Sequence, residues 1–212
     1  MDHLSESVHL DVELSPLEDL NKGGGAWPLQ ANRQENWAWM QDVFTPLEIK
    51  AIIALGESTQ LDAGWAGGKH SPEMRDSFVR FLFPNETTEW IFQKLSGAIN
   101  EINEMYFGFD LSSFEQGLQF TRYEAPEQHY DWHCDSGMMT GRRKLSLTVQ
   151  LSDPDDYEGG DLELRWGAEP MKAKRDLSMM TVFPSWTLHR VTPVTKGTRY
   201  SLVAWVAGPP FK

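Results

Sequence analysis

One cysteine, Cys134, stands in a chain of 212 residues. A single thiol permits no internal disulfide and cannot build a cysteine-based zinc site. Positive charge is short as well: 19 Lys and Arg face 31 Asp and Glu, a formal net charge of −12. A nucleic-acid binder needs a basic face to replace phosphate counterions, and docking on anionic lipid needs a basic patch. The composition therefore argues against nucleic-acid and membrane partners. No apolar run approaches the roughly 18 to 20 residues of a spanning helix. The leading stretch MDHLSESVHLDVELSPLEDL lacks the basic start and apolar centre of a secretory signal. These absences lead to the expectation of a soluble protein in a reducing, cytoplasmic setting. Any metal must then be held mainly by His, Asp and Glu.

Enough is present for a core, with 40% hydrophobic and 12% aromatic residues. Residues 1–26 read as a flexible or loosely docked lead, and 27–212 as a single domain. Thr45-Pro46-Leu47-Glu48 carries a helix start, with Thr at the N-cap, Pro first and Glu three residues after Thr, and the helix is expected to reach about Ser58. Trp90, Ile91, Leu95, Ile99, Ile102 and Met105 recur at three- and four-residue steps, predicting a second helix from about Glu86 to Tyr106 that Gly108 can end. Beyond Gly108 come short β-rich runs separated by turns: LQFTRY, KLSLTVQLS, DLELRW, SMMTVF, TLHRV and RYSLVAWV. Their spacing predicts an antiparallel sandwich or small barrel. The acidic stretch DPDDYEGGD lacks the spacing and terminal Glu of an EF-hand and reads as a β-hairpin turn.

Of six histidines, His129, His133 and His189 fall in or beside the β-region. The segment HYDWHCD contains His-x-Asp twice, at 129/131 and 133/135. Alternate residues of a strand share a face, so either pair can grip one ion. His189 from a distant strand would complete two imidazoles and one carboxylate, a set that leaves positions open and suits non-haem Fe(II) oxygenases. Cys134 would point away from the ion, as a small buried residue. Ten residues after His189 comes Arg199. If 186–194 and 199–206 are adjoining strands joined near Lys196-Gly197, both residues can face one cavity. A guanidinium inside a small barrel needs an anion, and its fork matches a carboxylate. Ser201 would share the face of Arg199 and could add a hydroxyl donor.

Four stretches, WIFQKLSGAINEINEMYFGFDL, YEAPEQHYDWHCDSG, LSDPDDYEGGDLEL and VFPSWTLHRVTPVTKGTRYSLVAW, resemble the iron- and 2-oxoglutarate-dependent dioxygenases of the prolyl 4-hydroxylase-like branch, bacterial and phage type. The likeness runs from about residue 76 to 207. It implies a mainly β fold with packed helices, a double-stranded β-helix (jelly-roll) core at about 114–207 with N-terminal helices on one sheet. It selects His133 and Asp135 over the other pair, giving His133, Asp135 and His189 as metal ligands. Tyr123 and Tyr130, ten and three residues before His133, match family tyrosines around the 2-oxoglutarate pocket. Tyr130 and His133 would lie on opposite faces of a regular strand, so a bend or loop is required between them. Relatives often have Gly where Pro126-Glu127 stands.

The cofactors implied are Fe(II), 2-oxoglutarate and O2, with ascorbate as a reductant. Arg199, assisted by Ser201 or a tyrosine, would take the far carboxylate of 2-oxoglutarate. The reaction implied is hydroxylation of an unactivated C–H bond coupled to decarboxylation of 2-oxoglutarate to succinate and CO2. The expected substrate is a prolyl residue in a peptide or protein; the alternatives are a free amino acid or other small molecule, and a non-catalytic jelly-roll binding module. Trp132 and Trp205 are candidates for the cavity wall. The loop Trp65–Arg75 and the strand 76–83 are candidates for one side of a substrate groove, where Arg75 and Arg80 would meet a carboxylate.

Overall fold

Alternation along three strands sets the architecture. In β8 (Arg143–Gln150), Leu145, Leu147 and Val149 alternate with Ser146, Thr148 and Gln150. In β6 (Leu118–Glu124), Leu118 and Phe120 alternate with Gln119, Thr121 and Tyr123. In β14 (Val194–Ala207), Leu202, Ala204 and Val206 alternate with Arg199, Ser201, Val203 and Trp205. The apolar set of each strand joins the main hydrophobic core, and members of the other set line a cavity. Period-two alternation thus gives one sheet an apolar face for helices and a more polar face for chemistry.

The computed structural model describes residues 35–64, 71–136 and 141–210. The expectation for residues 1–26 lies outside them, as do Trp65 to His70 of the proposed groove loop. The remaining strands are β1 (Ala38–Met40), β2 (Asp62–Ala63), β3 (Arg75–Asp76), β4 (Phe78–Leu82), β5 (Ser113–Phe114), β7 (His129–His133), β9 (Tyr157–Gly159), β10 (Leu162–Arg165), β11 (Met171–Lys172), β12 (Met180–Pro184) and β13 (Leu188–Val191). Antiparallel pairing gives a larger sheet in the order β1-β12-β8-β14-β6-β4-β2, with β5 and β9 also paired to β14. The smaller sheet runs β11-β10-β13-β7-β3. This is the double-stranded β-helix that the family resemblance implied. No helix among the described residues is long and apolar enough to cross a membrane.

Helix α1 (Pro46–Glu57) begins in a full capping box: Glu48 N–H donates to Thr45 Oγ1 at 3.3 Å, and Thr45 N–H donates to Glu48 Oε2 at 2.8 Å. It packs on β6 through Gly56, where a Cβ would meet the Phe120 ring at 2.5 Å. Helix α2 (Glu89–Ile102) buries Ile91, Leu95, Ala98, Ile99 and Ile102 against the same sheet. A π-helical turn over Asn103–Phe107 then leads to Gly108, whose φ of +63° closes the helix. Met105 was expected on the buried stripe and is 58% exposed, with Phe107 buried instead. The wider turn adds a residue and rotates the face.

Two local expectations are corrected. DPDDYEGGD is not a simple hairpin turn: Pro154–Asp156 forms a 3-10 turn, and Tyr157–Gly159 forms β9, which pairs with the start of β14. The strands carrying His189 and Arg199 are not neighbours. β13 lies in the smaller sheet and β14 in the larger, with the chain crossing between them at Thr192-Pro193. Gly197 (φ +71°) therefore sits inside β14, where a Cβ would meet the Asp156 carbonyl oxygen at 2.1 Å.

Candidate metal centre

β7 and β13 lie side by side with His133 opposite His189 and Tyr130 opposite Val191. Two steps on β13 therefore match three on β7, which is a bulge. The extra residue brings Tyr130 and His133 to one side, where their rings stack at a centroid distance of 3.5 Å and an angle of 13°. The bend required by the sequence spacing is this bulge. Trp132 turns to the other face, where Arg190 and Arg165 lie over its ring at 4.6 and 5.7 Å.

His133, Asp135 and His189 each offer a ligand atom, and the three atoms lie within 4.8 Å of one another. His133 Nε2 is 3.7 Å from Asp135 Oδ1, and His189 Nε2 is 3.5 Å from Asp135 Oδ2. Both Nδ1 atoms face backbone carbonyls, that of Asp131 at 2.7 Å and that of Thr187 at 2.9 Å. A carbonyl only accepts, so each Nδ1 carries a hydrogen, which leaves Nε2 as the nitrogen that would bind a cation. Burial, and after it the neighbouring His189, lower the His133 pKa to about 3, so the ring is neutral near pH 7. Burial pushes Asp135 up, but the facing His189 and His133 and the Ser146 hydroxyl outweigh it, and the net direction is down. Two imidazoles beside one carboxylate fit a divalent cation. His129 and Asp131 do not join the set. His129 is hydrogen-bonded to the carbonyls of Glu127 and Glu73, and Asp131 Oδ1 accepts from the Trp132 N–H.

Across the cavity, Arg199 is fully buried and stands opposite Tyr123 in the β6–β14 register. Its Cζ lies 5.5 Å from the Tyr123 ring, and Nη1 reaches Ser201 Oγ at 3.5 Å. Nε and Nη2 have no hydrogen-bond partner among the described residues. A buried guanidinium left with donors unused is costly, and a carboxylate in the cavity would satisfy it. Tyr130 lines the same cavity. Burial raises its pKa to about 12 against the opposing charge of Arg75, so the phenol keeps its proton.

Of the remaining candidates, Arg75 and Trp205 reach the cavity wall. Arg75 lies 4.6 Å over the Tyr130 ring and donates from Nε to Ser77 Oγ at 2.9 Å. Arg80 does not reach it. Its Nη1 donates to the carbonyls of Leu55 and Gly56 at 3.1 and 3.0 Å, closing the end of α1 on the opposite face of the sheet. Cys134, expected to be buried, is exposed and donates to the Trp186 carbonyl. Glu127 has φ +79°, the conformation a glycine would take without strain. Ser146 and Ser185 beside Asp135 were missed by the sequence reading. The polar half of the KLSLTVQ alternation was the available signal for Ser146.

Two imidazoles and a carboxylate that could hold a metal ion, and a buried arginine with unused donors, thus line one cavity inside a double-stranded β-helix. The comparisons point the same way. Residues 118–207 match the family described as the 2OG-Fe(II) oxygenase superfamily. A PKHD-type hydroxylase from Prochlorococcus marinus is 32% identical over 167 residues, covering 74% of this chain and 75% of the relative. One from Gloeothece citriformis is 50% identical over 93 residues, covering 42% of this chain and 41% of the relative. The match to that more identical relative thus spans well under half its length. A Pseudomonas putida prolyl-4-hydroxylase structure shares the fold at TM-score 0.67 and 18% identity, covering 82% of this chain and 93% of that one. A Trichoplax adhaerens prolyl hydroxylase in complex with a hypoxia inducible factor peptide fragment does so at TM-score 0.71 and 15% identity, covering 82% and 84%. The chain belongs to the 2OG-Fe(II) oxygenase superfamily, with PKHD-type hydroxylases as its sequence relatives.

Proposed function

We propose that the chain is an Fe(II)- and 2-oxoglutarate-dependent dioxygenase that hydroxylates an unactivated C–H bond, with a prolyl residue of a peptide or protein as its target. The observation that carries this reading is the fully buried Arg199, with two nitrogens lacking partners among the described residues, on the same cavity as the ligand triad. His133, Asp135 and His189 would hold the metal, and Arg199 with Ser201 would hold the far carboxylate of the oxoacid. Iron, 2-oxoglutarate and O2 together supply the oxidising power for hydroxylation, with succinate and CO2 released. The chain's own residues bind, orient and exclude water. The Nδ1 contacts fix both imidazole tautomers, and the protonated Tyr130 can donate to an oxygen in the cavity without changing charge. The relatives named hydroxylases support the reaction type, and the resemblance to the prolyl 4-hydroxylase-like branch supports the prolyl target.

Arg75, a second guanidinium on the cavity wall, favours a second reading in which the substrate is a free amino acid bound by its carboxylate. One assay addresses both. Succinate release with Fe(II), ascorbate and 2-oxoglutarate is measured over proline-containing peptides and free amino acids, with mass spectrometry following the gain of one oxygen. Absence of both succinate and metal binding would sink the oxygenase reading.

A further inference from the structure

The backbone of Arg199 has little freedom to move. Arg199 pairs with Tyr123 of β6, while its near neighbours Gly197 and Ser201 pair with Tyr157 of β9 and Gln150 of β8. With β14 held from both sides, the side chain alone sets how far the guanidinium reaches into the cavity. The wall behind its stem is the turn between β9 and β10. A Cβ on Gly160 would stand 2.9 Å from Arg199 Cδ and 2.9 Å from Val194 Cγ2. Both distances are well inside the roughly 3.5–4.0 Å optimum between carbon atoms. Neither side of this contact gives way easily. Gly160 N–H donates to the Pro193 carbonyl at 3.1 Å. Val194 N–H donates to the Gln128 carbonyl at 3.0 Å, and the Val194 carbonyl accepts from the Glu127 N–H at 2.8 Å. Gly160, Val194 and Arg199 are all buried. Arg199 lines the cavity, whereas Gly160 and Val194 do not, so these two stand behind the arginine.

We propose that Gly160, backed by Val194, determines the length of oxoacid the cavity accepts, because the missing Cβ lets the Arg199 stem lie back. The proposal rests on the oxoacid reading above. An oxoacid held at its keto end beside the ligand triad and at its far carboxylate by Arg199 is measured between two points. The triad is fixed by its strands, so the depth of the guanidinium sets the span. A methyl at position 160 pushes the stem toward the cavity and shortens that span. A smaller side chain at position 194 opens space behind the stem and lengthens it. One methylene too many or too few in a fitted pocket is worth about tenfold or more. Gly160 and Val194 are positioning residues in this scheme, acting on the ligand only through Arg199.

The test uses the full chain loaded with Co(II), whose visible absorption reports coordination. Three oxoacids are titrated into it: 2-oxoglutarate, freshly dissolved oxaloacetate, one methylene shorter, and 2-oxoadipate, one methylene longer. In Gly160→Ala, affinity for 2-oxoglutarate relative to oxaloacetate should fall about tenfold or more, with 2-oxoadipate weakened furthest. Val194→Ala should move the other way, raising 2-oxoadipate relative to 2-oxoglutarate. Gly160 has φ +62°, so its replacement also carries a backbone penalty. Gly108→Ala supplies the control: its φ is +63° and a Cβ there meets nothing within 4 Å. It should leave the ratios among the three oxoacids at their wild-type values. Metal-free thermal melts report folding, and Val194→Ala decides the matter should Gly160→Ala fail to fold. A wild-type chain that binds none of the three oxoacids overturns the functional reading and this proposal with it. A wild type that binds 2-oxoglutarate, with Gly160→Ala weakening all three by one common factor, overturns the depth-setting role alone. So does a folded Val194→Ala with unchanged ratios, or a Gly108→Ala that shifts them as Gly160→Ala does.

Discussion

Asp131 and Asp135 stand four residues apart, and only the second reaches the two imidazoles. Asp131 serves its own strand: its carbonyl accepts from His133 Nδ1 and its carboxylate from the Trp132 N–H. Asp135→Ala is therefore expected to abolish Co(II) binding by equilibrium dialysis, whereas Asp131→Ala retains it; the reverse result would mean the wrong His-x-Asp pair has been assigned. Arg199 gives a second prediction, in which stability and binding move apart. Replacing a buried, under-partnered charge by an apolar side chain of similar volume is often neutral or stabilising. Metal-free Arg199→Met should then melt at or above the wild-type temperature. Its 2-oxoglutarate affinity should fall by roughly thirtyfold or more, matching about 2–5 kcal/mol for truncating one partner of a buried charge pair. A melting temperature lowered in step with the affinity would show that Arg199 is a structural residue instead.

At the scale of elements, what was legible in the sequence is what is encoded within a few residues. The Thr45 capping box and the Gly108 stop are local chemistry, and both stand where their residues place them. The π-helical turn, the β7 bulge and the crossing at Thr192-Pro193 depend on partners far along the chain. Nothing in HRVTPVTKGTRY says that His189 and Arg199 belong to different sheets; the cavity between the sheets still brings them together. Gly197 illustrates the point. A Lys-Gly pair between two β-rich runs reads as a hairpin turn, yet the glycine is needed because β9 passes so close to β14. Gly197→Ala combines a positive φ with a 2.1 Å approach to the Asp156 carbonyl oxygen. It is expected to cost about 1–3 kcal/mol or more in urea unfolding, the range for an enforced strained backbone. An unchanged unfolding midpoint would show that the two strands can separate there at no cost.

For the molecule as a whole, the spacing of short β-rich runs and the family resemblance carried the fold class, and alternation within the strands explains why one face of the larger sheet could be given over to a polar site. Bulk charge was a poorer guide. The net charge of −12 describes the chain, while the groups that matter in the cavity are buried ones whose ionisation the fold itself decides. That control makes stability depend on pH in a direction that can be worked out. The His133 pKa lies at about 3 in the folded chain against an ordinary 6.5. A group lowered on folding contributes its full stability above the unfolded value and gives it up as pH falls toward the folded one. The metal-free chain should therefore lose stability between about pH 6.5 and pH 3, joined by Asp135 below its ordinary carboxylate pKa, since that group is also shifted down. Metal opposes the loss, because only the unprotonated ligands bind it. A divalent cation at a hundred times its Kd adds about 2.7 kcal/mol near neutral pH, and less as protons compete for the imidazoles. Urea midpoints with and without Co(II) at pH 7.5, 6 and 5 measure both effects. The two curves should differ most at pH 7.5 and converge in acid, with the metal-free midpoint already falling at pH 6; a metal-free midpoint that stays level down to pH 5 would show that His133 is not held neutral by its burial.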